Sequence, residues 1–233
     1  MTTHRALALL AALLAGGWTS TAGARAAETA PAASASGAAS LDKWRAGTNY
    51  QMLREPQPTT VGSGKIEVSE VFWYGCGHCY ALDPELEEWN AGKAAYVEFV
   101  RVPVIWGQVQ RQHAKLYYTL QALHRPELHG RVFDAIHKQG LALAAHDDLE
   151  ARAMQLAFLV TQGVSEKDFN AAYDSMTVAT NMLRAENLTK KYAVANVPTL
   201  IVNGKYSTSV GEAGGPAQLF SLLNDLAASE KNR

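Results

Sequence analysis

The feature that most constrains this chain is a pair of cysteines, Cys76 and Cys79, placed where a buried strand gives way to a helix. Residues 66–74 (IEVSEVFWY) are rich in β-branched and aromatic side chains and follow a Gly-Ser-Gly turn, which predicts a strand. Residues 76–90 carry large apolar side chains at helical spacing, and Gly92 can end that helix. The chain therefore passes from strand to helix at the cysteines themselves.

This placement predicts different roles for the two sulfurs. A cysteine at a helix N-terminus faces unpaired N–H groups and the positive end of the helix dipole, so Cys76 should be the acidic, nucleophilic thiol. Cys79 lies one turn further along the same face, where we expect it to be shielded and to resolve a mixed disulfide formed at Cys76. His78 can offset the thiolate charge. We predict a catalytic motif of Cys76, Gly77, His78 and Cys79.

Other uses of the two cysteines fit the sequence less well. A structural disulfide here would close a loop of about four residues, and so short a loop gives little chain-entropy stabilisation. Zinc would need a second ligand pair, and the other histidines lack the close spacing of one, so a zinc-binding module is the weakest alternative. Covalent haem requires His directly after the second cysteine, where this chain has Tyr80. We predict neither a metal nor another cofactor.

The rest of the chain predicts a second strand, a long helical stretch and a hairpin. Residues 96–105 form an apolar strand, which completes a β-α-β order. Residues 108–192 have helical periodicity, and residues 147–150 and 165–168 resemble the N-terminal caps of helices. Residues 199–202 and 205–210 flank Asn203-Gly204, which is the signature of a two-residue hairpin turn. A last helix is predicted over about residues 216–228.

These elements predict an α/β fold with an inserted all-helical domain. The sheet domain is built from both ends of the chain, with residues 41–107 as its first part and residues 193–233 as its second part. Residues 108–192 form the helical insertion between them.

The N-terminus predicts export. Residues 1–26 have the basic start, apolar stretch and small-residue end of a cleaved signal peptide, and the apolar stretch is about half of the roughly 20 residues that a membrane span needs. Residues 27–40 lack large apolar side chains and are predicted to be a disordered leader. The chain has 21 basic and 22 acidic residues, so it offers no basic surface for nucleic acid or an anionic membrane.

Two motifs together resemble a known family. The segment FWYGCGHCY (residues 72–80), with Val197-Pro198-Thr199 far downstream, is similar to the periplasmic DsbA family of thiol-disulfide interchange proteins, which implies a thioredoxin-like fold. The resemblance implies that Pro198 is cis and packs against the active-site pair. It also implies that the backbone at Val197 binds an extended substrate segment.

Glu70 matches a buried acidic residue of the same family, which implies that it assists proton movement during exchange. The competing interpretation is a solvated glutamate at the edge of a strand. The second strand shows no evident basic partner for Glu70, since its charged residues are Glu98 and Arg101. This absence counts against the proton-transfer role.

The resemblance implies a periplasmic, monomeric thiol:disulfide oxidoreductase. It would donate the Cys76–Cys79 disulfide to newly exported polypeptides, promote their oxidative folding and be reoxidised by a DsbB-like membrane quinone reductase. One alternative is an isomerase or reductant of the same fold, which the Gly77-His78 dipeptide favours. The other is a peptide-binding chaperone that uses the surface near Trp73, Trp106 and Pro198.

Overall fold

The structure is a computed structural model that describes residues 41–233; the predicted signal peptide (residues 1–26) and leader (residues 27–40) lie outside the described residues. A short 3-10 helix at Leu41–Lys43 comes first. The strands are β1 (Gln51–Met52), β2 (Ile66–Phe72), β3 (Val97–Pro103), β4 (Thr199–Val202) and β5 (Tyr206–Thr208). The helices are α1 (Gly77–Gly92), α2 (Gln108–Ala122), α3 (Leu128–His137), α4 (Asp148–Thr161), α5 (Glu166–Tyr173), α6 (Met176–Lys191), α7 (Val210–Ala213) and α8 (Pro216–Lys231).

The strands form one mixed five-stranded sheet in the order β1-β5-β4-β2-β3. Strand β2 pairs in parallel with β3 and antiparallel with β4, and all seven of its residues are buried. The predicted α/β class is confirmed.

The sheet is covered on both faces. Because successive side chains of a strand point to opposite faces, Val68 and Leu200 pack in one apolar cluster with residues of α1 and α8. Val71 and Ile201 instead join a second cluster with residues of α2 to α6. The helices that follow β3 therefore cover the end of β2 that leads into the cysteines.

The predicted helix starts after β3 are confirmed. The Asp147 side chain accepts hydrogen bonds from the N–H groups of Leu149 and Glu150 at 2.9 and 2.8 Å, and Ser165 Oγ accepts from Asp168 N at 3.1 Å. The described residues belong to one compact unit, and the three-part division at residues 107/108 and 192/193 stays a prediction. Among residues 41–233, no helix has the length and apolar character that a membrane span requires.

The predicted hairpin is present between β4 and β5. Asn203 and Gly204 have φ angles of 51° and 62°, and Lys205 N donates to Val202 O at 3.0 Å, which closes the turn. Strand β5 is shorter than predicted because Val210 begins the short helix α7. The last helix runs three residues beyond its predicted end, to Lys231.

Gly204 is held against the segment before β2. Gln57 N donates to Gly204 O at 2.8 Å, and a Cβ added at Gly204 would lie 2.0 Å from Gln57 O. Gly140 also has a positive φ, of 71°, but a Cβ there meets nothing within 4 Å. A side chain at Gly140 would therefore meet only the cost of a positive φ, whereas a side chain at Gly204 would also clash with the backbone of Gln57.

We expect Gly204→Ala to lower the free energy of unfolding by about 3 kcal/mol, because it adds a backbone clash to the roughly 1 kcal/mol cost of a positive φ. Gly140→Ala is the matched control and should show only the smaller loss. Urea denaturation of both variants measures the difference. Equal losses would contradict the close approach at Gly204.

Candidate active site

Cys76 is the residue that caps the start of α1. Strand β2 ends at Phe72, and Cys76 N donates to Trp73 O at 2.9 Å in the turn that follows. Cys76 has extended backbone angles, φ −88° and ψ 114°, and its Sγ accepts a hydrogen bond from Cys79 N at 3.3 Å. A sulfur thus takes the place that an oxygen fills at most helix starts.

The two sulfurs, both free thiols in this structure, differ in exposure and in acidity. Cys76 is half-buried, whereas Cys79 has no exposed surface. The Cys79 side chain donates to Cys76 and, with the N–H groups of Cys79 and His78 and the His78 charge, lowers the pKa of Cys76 to about 6 against the effect of burial. Burial raises the pKa of Cys79 far above its usual range, and the Cys76 contact and the Glu70 charge add to this.

Gly77 and His78 lie between the sulfurs and are exposed. His78 favours the Cys76 thiolate through its backbone N–H and its charge, in the direction predicted from the sequence. A Cβ added at Gly77 meets nothing within 4 Å, so the turn does not require glycine for lack of space. The catalytic role of these two residues stays a prediction.

Val197 and Pro198 lie next to the half-buried Cys76. Their peptide bond is cis, and Cys76 Sγ donates to Val197 O at 3.4 Å. They line a groove of about 430 Å³ together with residues of α1, α7 and α8. The structure therefore brings the predicted substrate-binding pair to the predicted nucleophile, and their binding role stays a prediction.

Glu70 has a basic partner, so the expectation that the second strand offers none is wrong. Arg101 Nε lies 3.1 Å from Glu70 Oε2. Glu70 and Arg101 are register partners in the parallel β2–β3 pair, which places their side chains on the same face. Glu70 is 1% exposed, which also overturns the interpretation as a solvated edge residue.

The Glu70 carboxyl belongs to a group of charges around Arg101, in which Glu70 and Asp83 are enclosed and Glu87 is exposed. Arg101 Nη2 lies 2.7 Å from Asp83 Oδ1 and 2.7 Å from Glu87 Oε1, so three carboxylates surround one guanidinium. Burial raises the pKa of Glu70 to about 7, and the Asp83 charge adds to the rise while Arg101 opposes it. Glu70 can therefore hold or release a proton near neutral pH.

Sequence reasoning missed three histidines that contact the segment before Cys76, because it considered histidines outside the motif only as zinc ligands. They are His113, with Nδ1 2.9 Å from Trp73 Nε1, His129, with Nδ1 2.8 Å from the Tyr74 hydroxyl, and His137, with Nε2 2.8 Å from Tyr74 O. No local pattern signals these contacts. In the described part of the chain, no group of three His, Cys, Asp or Glu side chains is arranged to hold a metal.

The chain is similar in sequence and in structure to thiol:disulfide interchange proteins. The chain is 37% identical over 195 residues to the thiol:disulfide interchange protein DsbA of Pseudomonas aeruginosa. The aligned residues cover 83% of this chain and 89% of that protein. The chain is 39% identical over 186 residues to the DsbA of Pseudomonas syringae pv. tomato, covering 79% of this chain and 84% of the relative. The crystal structure of Pseudomonas aeruginosa DsbA superposes with a TM-score of 0.75 at 37% identity, covering 82% of this chain and 96% of that one. No family model matches the chain.

We expect Glu70→Gln to change how stability depends on pH. The pKa of Glu70 rises from 4.5 to about 7 on folding, so the folded state holds this proton more tightly and the stability it contributes below about pH 4.5 is lost as the pH rises through 7. Relative to the variant, the wild type should lose on the order of 3 kcal/mol between about pH 4 and pH 8.

Urea denaturation of the disulfide form across this range measures the effect without titration of the thiols. The control Glu98→Gln removes a partly exposed carboxylate from β3, which lies 3.5 Å from Lys65 Nζ at the surface. Stability curves of wild type and Glu70→Gln that stay parallel across the range would show that Glu70 does not titrate there.

Proposed function

The chain belongs to the DsbA family of thiol:disulfide interchange proteins. We propose that it is a periplasmic oxidase, which donates its Cys76–Cys79 disulfide to newly exported polypeptides. It is a thiol:disulfide oxidoreductase, as its relatives are named. The observation that carries the proposal is the contrast between the sulfurs: Cys76 is reachable and acidic, whereas Cys79 is enclosed.

Exchange begins at Cys76 because it is the only one of the two sulfurs with exposed surface. A substrate thiolate attacks Cys76 Sγ of the disulfide, a new sulfur–sulfur bond forms between them, and the Cys76–Cys79 bond breaks. Its electron pair leaves with Cys79. The product is a mixed disulfide between Cys76 and the substrate.

The departing Cys79 sulfur needs a proton, because burial makes its thiolate unfavourable. Glu70 is suited to supply it, since its pKa of about 7 leaves it partly protonated near neutral pH and its charge acts on Cys79. The carboxylate that remains is compensated by Arg101. We assign proton transfer to Glu70 on this basis.

The second step releases Cys76. Another thiolate of the substrate attacks the substrate sulfur of the mixed disulfide, and Cys76 leaves as a thiolate, which its lowered pKa favours. The substrate gains a disulfide and the protein is left with two reduced cysteines. Selective stabilisation of that reduced form is what makes such a couple oxidising.

Substrate binding is assigned to the cis-proline segment. An extended chain with a reduced cysteine would pair with the backbone at Val197 and pack against Pro198, in the groove beside Cys76. The protein would act as a monomer, and a DsbB-like membrane quinone reductase would take up its two electrons and restore the disulfide. The signal peptide predicted in residues 1–26 supports the periplasmic location.

Titration of Cys76 and its redox equilibrium test the oxidase assignment. Ultraviolet absorbance of the reduced protein should show a thiolate midpoint at about pH 6, and equilibration with glutathione should show a strongly oxidising couple. The Gly77-His78 dipeptide is the feature that favours an isomerase or reductant instead. A reducing couple with an ordinary thiol would establish that alternative.

Single cysteine variants should behave differently from each other. Cys76→Ser should abolish disulfide transfer to a reduced substrate protein, because the attacked sulfur is gone. Cys79→Ala should lose turnover but keep the nucleophile Cys76. It should therefore accumulate a mixed disulfide between Cys76 and a substrate protein whose own cysteine has been activated for exchange. Mass spectrometry under non-reducing conditions detects that adduct, and turnover by Cys76→Ser would refute the assignment of the nucleophile.

A further inference from the structure

One imidazole from α3 contacts both flanks of the cysteine turn. His137 Nε2 lies 2.8 Å from Tyr74 O, two residues before Cys76. The same ring stacks on Tyr80, which directly follows Cys79, with ring centroids 4.6 Å apart and planes 4° from parallel. Because a carbonyl oxygen only accepts, Nε2 must carry the proton in this contact.

We propose that His137 is a positioning residue for thiol-disulfide exchange, which holds the Tyr74 peptide and so keeps the chain before Cys76 in the arrangement that favours the reduced, thiolate form. This inference rests on the exchange chemistry proposed for Cys76. His137 lies outside the motif of residues 76–79, on the helix α3.

The position of the Tyr74 peptide matters because its neighbour Trp73 acts on both cysteines. Trp73 O accepts from Cys76 N at 2.9 Å, and the Trp73 backbone also acts on the Cys79 thiol, whose pKa it lowers against the effect of burial. A shift of the Tyr74 carbonyl would move the Trp73–Cys76 turn with it. The contacts that stabilise the Cys76 sulfur would then lose their alignment.

Other contacts show that this segment is fixed from the same side. The Tyr74 hydroxyl is 2.8 Å from His129 Nδ1, and His129 Nε2 in turn lies 3.3 Å from Asp83 Oδ1, which also pairs with Arg101. The Tyr80 hydroxyl donates to Asp134 Oδ1 at 2.9 Å. His129, Asp134 and His137 all belong to α3, so one helix fixes both tyrosines.

Loss of the His137 contact should affect the two redox states unequally. In the oxidised form the covalent bond itself holds the two sulfurs together. In the reduced form the Cys76 thiolate depends on N–H groups that only the backbone arrangement keeps in place. Weakening that arrangement therefore costs the reduced form more, and the couple becomes less oxidising.

The test compares three variants with the wild type. His137→Phe keeps an aromatic ring over Tyr80 but has no donor, and we expect its equilibrium constant for reduction by glutathione to fall about fivefold, the effect of one hydrogen bond. The pKa of Cys76 should rise in the same variant.

His137→Gln retains an N–H donor and should stay closer to the wild type. His124→Asn removes an exposed histidine at a positive φ that asparagine tolerates, and should change neither quantity.

Urea denaturation of each redox form separates this role from a structural one. A His137→Phe protein that is less stable equally in both forms, with wild-type redox equilibrium and Cys76 pKa, would overturn the proposal. The nitrogen-15 signals of His137 in the wild type give a measurement that needs no variant: they should differ between the oxidised and reduced protein, and identical signals would also overturn it. A wild type that proves reducing would instead refute the oxidase function, so the two failures are distinguishable.

Discussion

The first turn of α1 leaves backbone N–H groups without helical partners, and the site depends on a sulfur being there to accept one of them. That sulfur is Cys76 Sγ, which Cys79 N reaches at 3.3 Å. The arrangement requires that β2 end at Phe72, that the chain turn at once into a helix, and that Cys79 face the core on the next turn. The burial of β2 fixes where this strand ends, because a shift of its register would move its apolar side chains out of the core.

Beneath this turn the protein keeps charge in its interior. Arg101 is surrounded by Glu70, Asp83 and Glu87, drawn from β2 and α1. Burying charges is costly unless they are paired. The enclosed carboxylates of Glu70 and Asp83 share the guanidinium of Arg101, and the exposed Glu87 reaches the same group from the surface. Burial is the main reason that the pKa of Glu70, the most enclosed of the three, is raised, and the Asp83 charge adds to the rise while Arg101 opposes it. Glu70 can therefore carry a proton near neutral pH, in a position where its charge acts on Cys79.

Much of this architecture is encoded locally, and some of it is not. The strand-to-helix junction at Cys76, the helix starts at Asp147 and Ser165 and the turn at Asn203-Gly204 follow from propensities and caps within a few residues. The pairing of Glu70 with Arg101 depends on the register of two strands 31 positions apart, which the sequence pattern does not determine. The contact of His137 with Tyr74 spans 63 positions and depends on how α3 docks, so no periodicity could reveal it.

The empty space beside Gly77 has a consequence for how such a protein can evolve. A side chain at this position would project from the first residue of α1 into solvent, with no neighbour within 4 Å to resist it. Substitutions there can therefore change the electrostatics around Cys76 while the core and the sheet stay as they are. Selection, or a combinatorial library, can therefore vary this residue to change the redox potential of the cysteine pair without any need to repack the core.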